Sequence, residues 1–99
     1  MKQETKIQKI KQALLSGAAI TSLSAFKIAR TTRLSAIIYN LRELGIPIVT
    51  GSPDSAHSEG LINEATRRAM MLEYDNSHFA VYYIKPSDLL YCKERWDAA

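Results

Sequence analysis

The sequence predicts an α+β fold, with a helical first half and a small antiparallel pair of strands in the second half. Two observations support this prediction. Apolar residues recur at helical spacing in three segments before residue 45. Two β-compatible runs come later, IPIVT at 46–50 and HFAVYYI at 78–84, each next to turn-forming residues. Because the strands follow the helices in sequence, we expect a helical core with a two-stranded appendage.

Length and composition indicate one soluble globular domain. The chain has 99 residues, 46% of them apolar, which allows one modest core. No apolar run reaches the roughly 18 residues of a membrane span, and the charged N-terminus lacks the apolar stretch of a signal peptide. We therefore expect a cytoplasmic protein with no membrane contact. Cys92 is the only cysteine, so we expect neither an internal disulfide nor a cysteine-rich zinc site.

The first predicted helix covers residues 5–16. Its apolar residues lie at helical spacing, and Gly17 suits the position just after a helix end. Lys6, Lys9 and Lys11 are interpreted as a solvated face of this helix.

A second short helix is predicted over about 22–29. Thr21 or Ser22 can cap it, and Ile20 is expected to be buried in the extended link before it. The residues predicted to face the core are Leu23, Phe26 and Ile28.

The third helix, predicted over about 32–44, has separate apolar and polar faces. Thr31 can cap it, and Gly45 follows its end. Large apolar residues share one side: Leu34, Ile37, Ile38, Leu41 and Leu44. The opposite side holds Thr32, Ala36, Tyr39 and Glu43, flanked by Arg33, Ser35 and Asn40. Packing of the apolar side therefore leaves a polar face free.

The second half contains the two strands and a long connection. Strand 46–50 holds Pro47, which confines it to an edge or a strand start, and we expect it to pair antiparallel with 78–84. Residues 51–60, GSPDSAHSEG, are predicted to form a loop by composition.

Two alternatives exist for residues 61–74. The apolar spacing suits a helix, but residues 67–74 could also form a hairpin with the next strand. The hairpin is slightly favoured, because the turn residues 75–77 lie directly between two β-compatible runs. Pro86 ends the strand, and Ser87 can cap a last helix over about 88–95.

Charge is distributed unequally along the chain. The formal net charge is +3, but residues 1–50 hold eight cationic against two acidic side chains, whereas residues 51–99 hold five against eight. The first half is therefore at +6 and the second at −3. Such asymmetry is typical of a protein that meets a polyanion with one face.

No catalytic constellation is recognisable. His57 and His78 are isolated, and neither HExxH, GxGxxG nor a P-loop occurs. The residues around His57 are those of a polar loop, with nothing to fix a nucleophile. We therefore expect a protein that is not an enzyme and that has no metal, cofactor or small-molecule ligand.

The three helices indicate a helix-turn-helix. A short second helix, a tight turn at 29–31 and an amphipathic third helix form this motif, and two following strands give its winged version. In that layout the third helix enters the DNA major groove and the second crosses the backbone. Arg33 stands in the first helical turn, against the helix dipole, so a nearby phosphate would explain it. Glu43 marks the end of the favourable surface.

The candidate DNA contacts follow from that layout. Short donors suit phosphates, while longer side chains reach bases or sugars. The candidates on and before the third helix are Lys27, Arg30, Thr31, Thr32, Arg33, Ser35, Tyr39 and Asn40. Arg67 and Arg68 are either wing-tip groups that enter the minor groove or surface residues.

The segment from KIQKIKQALLSG through AIT to TTRLSAIIYNLRELGIPIVT, with HFAVYYI, resembles the small winged helix-turn-helix domain common in bacteriophage and prophage genomes. This resemblance covers residues 7–50 and 78–84 and implies DNA binding in a bacterial host cell. The sequence departs from the pattern in two places. The connection 51–77 is longer than the family's wing, and Ile37 stands where a polar residue is expected.

We therefore predict a winged helix-turn-helix domain over 1–85, with a wing insert at 51–77, and a C-terminal helical extension over 86–99. Its predicted role is sequence-specific or architectural binding of double-stranded DNA, as a transcription regulator or an accessory factor in recombination or replication. The alternative is a protein–protein adaptor that binds through 61–74 and the C-terminal helix. A single module buries roughly 600–1,000 Å² on DNA, so we expect a homodimer. The candidate dimer surfaces are 61–74 with Leu89, Leu90 and Trp96.

Overall fold

The computed structural model describes residues 5–73 and 80–96. Within these ranges the chain forms six helices and two strands. In chain order they are α1 (Lys6–Leu15), α2 (Ser22–Ala29), α3 (Leu34–Glu43), β1 (Ile48–Gly51), α4 (Pro53–Ser58), α5 (Glu64–Glu73), β2 (Val81–Ile84) and α6 (Pro86–Trp96). The α+β class and the three N-terminal helices are as predicted, and the bounds of α2 coincide with the prediction.

The main core lies among the first three helices. Thr5 caps α1 by accepting the Gln8 N–H at 3.1 Å, and Gly17, with a φ of 95°, follows its end. Thr21 caps α2 in the same way. The fully buried apolar side chains of this core include Ile10, Leu14, Ile20, Ala25, Ile38 and Leu41. Burial of this apolar surface is the main force that holds the three helices together.

Strands β1 and β2 pair antiparallel, as predicted. Ile48 lies opposite Ile84, and Gly51 lies opposite Val81. On its other side β2 pairs with Ile20, whose backbone N–H and C=O both bond to Tyr82 at 2.8 Å. Ile20 is therefore extended and buried before α2, which confirms that prediction. Strand β1 begins two residues after the predicted start, and residues 78 and 79 lie outside the described part.

The predicted loop at 51–60 is wrong, because its centre forms α4. Ser52 and Ser55 form a capping box, in which each side chain accepts the other's backbone N–H, at 3.1 and 2.9 Å. Pro53 occupies the first helical position, where a missing N–H costs nothing. Ala56 then packs with Val81 and Tyr83 in a second, smaller core.

The predicted hairpin at 67–74 is also wrong, because residues 67–73 belong to α5, while residue 74 lies outside the described part. The Asn63 side chain accepts the Thr66 N–H at 2.7 Å and so starts the helix. Glu64 then bonds Arg67 and Arg68, three and four residues later, which is the spacing that stabilises a helix. The predicted turn at 75–77 lies outside the described residues.

The last helix, α6, begins at Pro86, so the predicted cap at Ser87 is wrong. It packs back on the helical core, where Cys92 is fully buried. Leu89 lies beside Gly17 and Trp96 lies beside Gly45. The helix therefore closes the core from the side of the α1 and α3 ends.

Three residues predicted to be buried are exposed. Phe26 and Ile28 of α2 are 44% and 40% exposed, and Leu44, after α3, is 58% exposed. The buried residues of α2 are the small Ala25 and Ala29, which let the helix pack closely on the core. The larger Phe26 and Ile28 therefore lie on the exposed side of the helix. Leu44 lies beyond the last turn of α3, where the chain turns away towards Gly45.

Candidate nucleic-acid interface

The turn between α2 and α3 is held by Arg30 in a left-handed conformation, with φ 54° and ψ 37°. Among the described non-glycine residues, this is the one with a positive φ. Its N–H donates to the Phe26 carbonyl at 2.8 Å, and its guanidinium lies 5.9 Å from the centre of the Phe26 ring. Left-handed backbone costs a residue with a Cβ about 1–2 kcal/mol. The turn is therefore tight, and it projects a cation.

Thr31 fixes the second half of the turn. Its side chain is buried, and its Oγ1 accepts the Arg33 N–H at 3.0 Å. The prediction that Thr31 caps α3 is wrong, because the helix begins at Leu34 and Arg33 occupies the cap position without a side-chain bond. The cause is local, because Thr31 Oγ1 accepts the N–H of Arg33, the residue just before the helix, and not an N–H within α3. No acidic residue lies in the first turn of α3.

Helix α3 divides into the two predicted faces. Leu34, Ile37, Ile38 and Leu41 are buried in the core. The polar residues of the predicted free face are exposed: Thr32, Arg33, Ser35, Tyr39, Asn40 and Glu43. Tyr39 is 64% exposed, so its ring does not pack sideways against the protein. The free face is therefore exposed from Thr32, before the helix, to Glu43 in its last turn, and a partner can reach it.

A groove of about 320 Å³ lies along the start of this face. It is lined by Lys6 and Ile7 of α1, by the turn residues Arg30, Thr31, Thr32 and Arg33, and by Ala36, Ile37 and Asn40 of α3. Three of these side chains are cations and none is an acid. The structure thus brings together Arg30–Arg33 and Asn40, five of the predicted contact residues, and adds Lys6.

Lys27, Ser35 and Tyr39 do not line this groove but are exposed on the same helix pair. Lys27 lies in the last turn of α2, and the other two lie on the free face of α3.

Arg67 and Arg68 belong to a different cluster, between α4 and α5. Arg67 bonds Glu64 through Nε at 3.0 Å and Asp54 through Nη1 at 3.0 Å, and Arg68 Nε bonds Glu64 at 3.1 Å. The hydrogen bond from Arg67 lowers the pKa of the Glu64 carboxyl to about 2. Carboxylates thus already neutralise Arg67, and neither arginine lines the groove.

Arg42 has a structural role that the sequence analysis did not identify. Its Nη2 donates to the Ile48 carbonyl at 2.8 Å and to Thr50 Oγ1 at 2.7 Å, and its guanidinium lies 6.0 Å from the centre of the Tyr82 ring. These contacts tie the end of α3 to strand β1. A cation in the last helical turn was the available signal, and its acceptor on β1 was visible only in the fold.

Neither a metal cluster nor a membrane helix is found where the structure can be described. The ranges 5–73 and 80–96 contain no group of three or more metal-ligating side chains. Their helices are too short or too polar to span a bilayer.

One comparison with known proteins gives a match. A family model of the winged helix-turn-helix domain matches residues 5–72, which run from the cap of α1 to the last turn of α5. No curated protein and no solved structure matches the chain. Because the match covers more than half of the sequence, the chain belongs to the winged helix-turn-helix domain family.

Proposed function

We propose that this protein binds double-stranded DNA through the free face of α3 and the turn before it. The observation that carries the proposal is the groove in which Arg30 and Arg33 come together with Thr32 and Asn40, with no acid among its lining residues. Cations and short polar side chains around a helix start are the groups that bind phosphates. The family supports the proposal, since a winged helix-turn-helix domain suggests DNA binding.

In the proposed complex α3 lies in the major groove. Ser35, Tyr39 and Asn40 face the base edges or sugars, while Lys27, Arg30 and Arg33 lie towards the backbone. The contact is concentrated on the first two turns of α3, because Glu43 is exposed near its end and would repel phosphates. Thr31 lines the groove but is mostly buried, and its proposed part is to shape the turn.

Arg67 and Arg68 have no phosphate contact in this proposal. Their bonds to Glu64, and the further bond from Arg67 to Asp54, would have to break before either arginine could enter a groove of the DNA. Where a wing loop would stand, the helices between β1 and β2 instead hold two arginines that are paired with Asp54 and Glu64.

The proposed biological role is that of a transcription regulator or an accessory factor in recombination or replication, in the cytoplasm of a bacterial host. We also propose that the protein acts without catalysis, as a homodimer. Selection of bound sequences from a random duplex pool tests whether the binding is sequence-specific or architectural: an enriched motif is expected for a regulator, and none for an architectural protein.

Arg33→Ala tests the α3 face directly. If Arg33 binds a phosphate, we expect the slope of log K against log salt to become shallower by about 0.9, with roughly an eight-fold loss of affinity at 0.1 M salt for all duplex sequences. Arg95→Ala is the matched control, because it removes the same charge from α6, away from the groove. Binding is measured as a dissociation constant for duplex DNA at several salt concentrations. Equal affinity of both variants would reject the role of Arg33, and no wild-type binding at low salt would reject the proposal.

The alternative function, a protein–protein adaptor, has support from exposed apolar residues outside α3. Leu72 of α5 is 81% exposed, and Leu90 and Tyr91 of α6 are exposed as well. An adaptor would keep its partner when Arg33 is replaced but lose it when Leu72 and Leu90 are replaced by glutamine. Arg33→Ala therefore separates the two functions, because DNA binding depends on Arg33 and the adaptor contact does not.

A further inference from the structure

Lys6 lies far from the helix-turn-helix in sequence but lines the same groove as its turn. The first turn of α1 forms one wall, and the turn residues with α3 form the other. Three cations, Lys6, Arg30 and Arg33, thereby come from two separate segments of the chain. Sequence spacing alone assigns Lys6 to a solvated helix face together with Lys9 and Lys11.

These cations have no counter-charge in the described part of the protein. Every ion pair found there belongs to the α4–α5 cluster around Glu64 and Asp54. The first turns of α1, α2 and α3 hold no acidic residue. Like charges that share a concave surface repel one another, so the arrangement is unfavourable until an anion enters. The groove is thus complementary to negative charge.

The remaining polar lining narrows the class of anion. Thr32 and Asn40 add a hydroxyl and an amide to the three cations. Lysine, arginine, threonine and asparagine side chains are typical partners of phosphate oxygens in DNA complexes. The groove is open to solvent and not an enclosed cavity, so it can take one phosphate of a continuing strand as well as a free ion.

We propose that Lys6 of α1 binds a phosphodiester of the DNA backbone in this groove, together with Arg30 and Arg33. This inference rests on the proposed DNA binding and adds a contact from outside the helix-turn-helix. With one phosphate held between α1 and the start of α3, the rotation of α3 in the major groove is fixed. Lys6 is therefore a positioning residue for sequence readout, not a reader of bases.

Lys6→Gln tests the inference, with Lys9→Gln as the matched control on the same helix. Both substitutions remove one charge from α1, but Lys9 does not line the groove. Counterion release predicts that losing one phosphate contact makes the slope of log K against log salt shallower by about 0.9, which is roughly an eight-fold loss of affinity at 0.1 M salt. We expect this change for Lys6→Gln, equally for all duplex sequences, and a clearly smaller one for Lys9→Gln. Circular dichroism checks that both variants keep their helices.

The outcomes separate this inference from the proposed function. If the wild type binds duplex DNA and the two variants have the same slope, the charge of α1 acts diffusely and the inference is overturned alone. If the wild type does not bind duplex DNA, both proposals are overturned. A parallel titration with inorganic phosphate, followed by amide shifts, distinguishes the two sources of phosphate. Binding of phosphate that depends on Lys6, without any duplex binding, would identify a small-anion site and overturn the backbone assignment.

Discussion

At the scale of single residues, Arg30 combines backbone strain with a charge in the proposed interface. Its φ of 54° is unfavourable for a side chain with a Cβ, whereas glycine adopts this region freely. Helix-turn-helix turns often contain glycine. The presence of arginine at this position is therefore better explained by its guanidinium, which lines the groove, than by the needs of the turn.

Arg30→Gly is expected to raise stability while weakening DNA binding. Relief of the left-handed strain gains about 1–2 kcal/mol, and the greater flexibility of unfolded glycine offsets about 0.5–1 kcal/mol of it. The net gain in the free energy of unfolding is about 0.5–1 kcal/mol, measured by urea denaturation. Loss of the cation makes the salt dependence of DNA binding shallower.

Arg30→Ala separates the two effects, because alanine loses the charge but keeps the Cβ that causes the strain. It should weaken DNA binding as much as Arg30→Gly does, without the gain in stability. The same stability for the glycine and alanine variants would show that the turn is not strained at this residue.

At the scale of elements, the sequence predicted the features that the local spacing of residues determines. The bounds of α2, the two faces of α3 and the antiparallel strands follow from apolar periodicity and turn residues. The failures lie where local bonds compete with composition. The Ser52–Ser55 capping box turns a loop-like segment into α4, and the bonds of Glu64 turn a β-compatible segment into α5.

The candidate site was predictable only in part, for a related reason. The turn and α3 are contiguous, so periodicity placed Arg33 and Asn40 on one free face. Lys6 reaches the same groove through the packing of α1 on α3, which no local pattern contains. Conversely, Arg67 is paired with the carboxylates of Asp54 and Glu64. The bond to Asp54 joins residues that only the fold brings together, so the sequence did not predict that Arg67 is paired.

The ion pairs of Glu64 in the α4–α5 cluster are expected to depend on pH. The pKa of Glu64 is about 2 in the folded chain, below its ordinary value of 4.5, because Arg67 donates hydrogen bonds to the carboxylate. A lowered folded pKa means that the stabilisation is present above about pH 4.5 and is lost as the pH falls towards 2. Titration of the side-chain carboxyl by NMR measures this pKa directly. A midpoint near 4.5 would contradict the bonded arrangement.

Glu59→Gln provides the control for this contact. Glu59 is an exposed carboxylate on the same connection, with no ion pair among the described side chains. In Glu64→Gln the helical NMR shifts of α5 should be smaller at neutral pH than in the wild type. They should also change little between about pH 4.5 and 2. Glu59→Gln should keep the wild-type response.

At the scale of the whole molecule, the cations of the groove and the exposed leucines of the last two helices lie on different elements. The uncompensated cations line the groove between α1 and α3, whereas the cations of α5 are balanced by carboxylates. Among the described residues, the large apolar side chains with the greatest exposure are Leu72 of α5 and Leu90 of α6. The groove between α1 and α3 therefore suits a polyanion, and the exposed leucines of α5 and α6 are available for a protein contact.

The α6 surface leads to the prediction about oligomeric state. Of the apolar residues proposed from sequence, Leu89 and Trp96 pack against the chain's own core, whereas Leu90 is 69% exposed beside the exposed Tyr91. A single module buries too little DNA surface for tight specific binding, so we expect two copies to associate through Leu90 and Tyr91. Light scattering should give about twice the 11.1 kDa of one chain. Leu90→Gln should shift the mass to one chain and weaken DNA binding, whereas Lys93→Gln, an exposed position on the same helix, should leave the mass unchanged. A wild-type mass of one chain at the concentrations where DNA binds would contradict the homodimer, because the second copy would then not contribute to affinity.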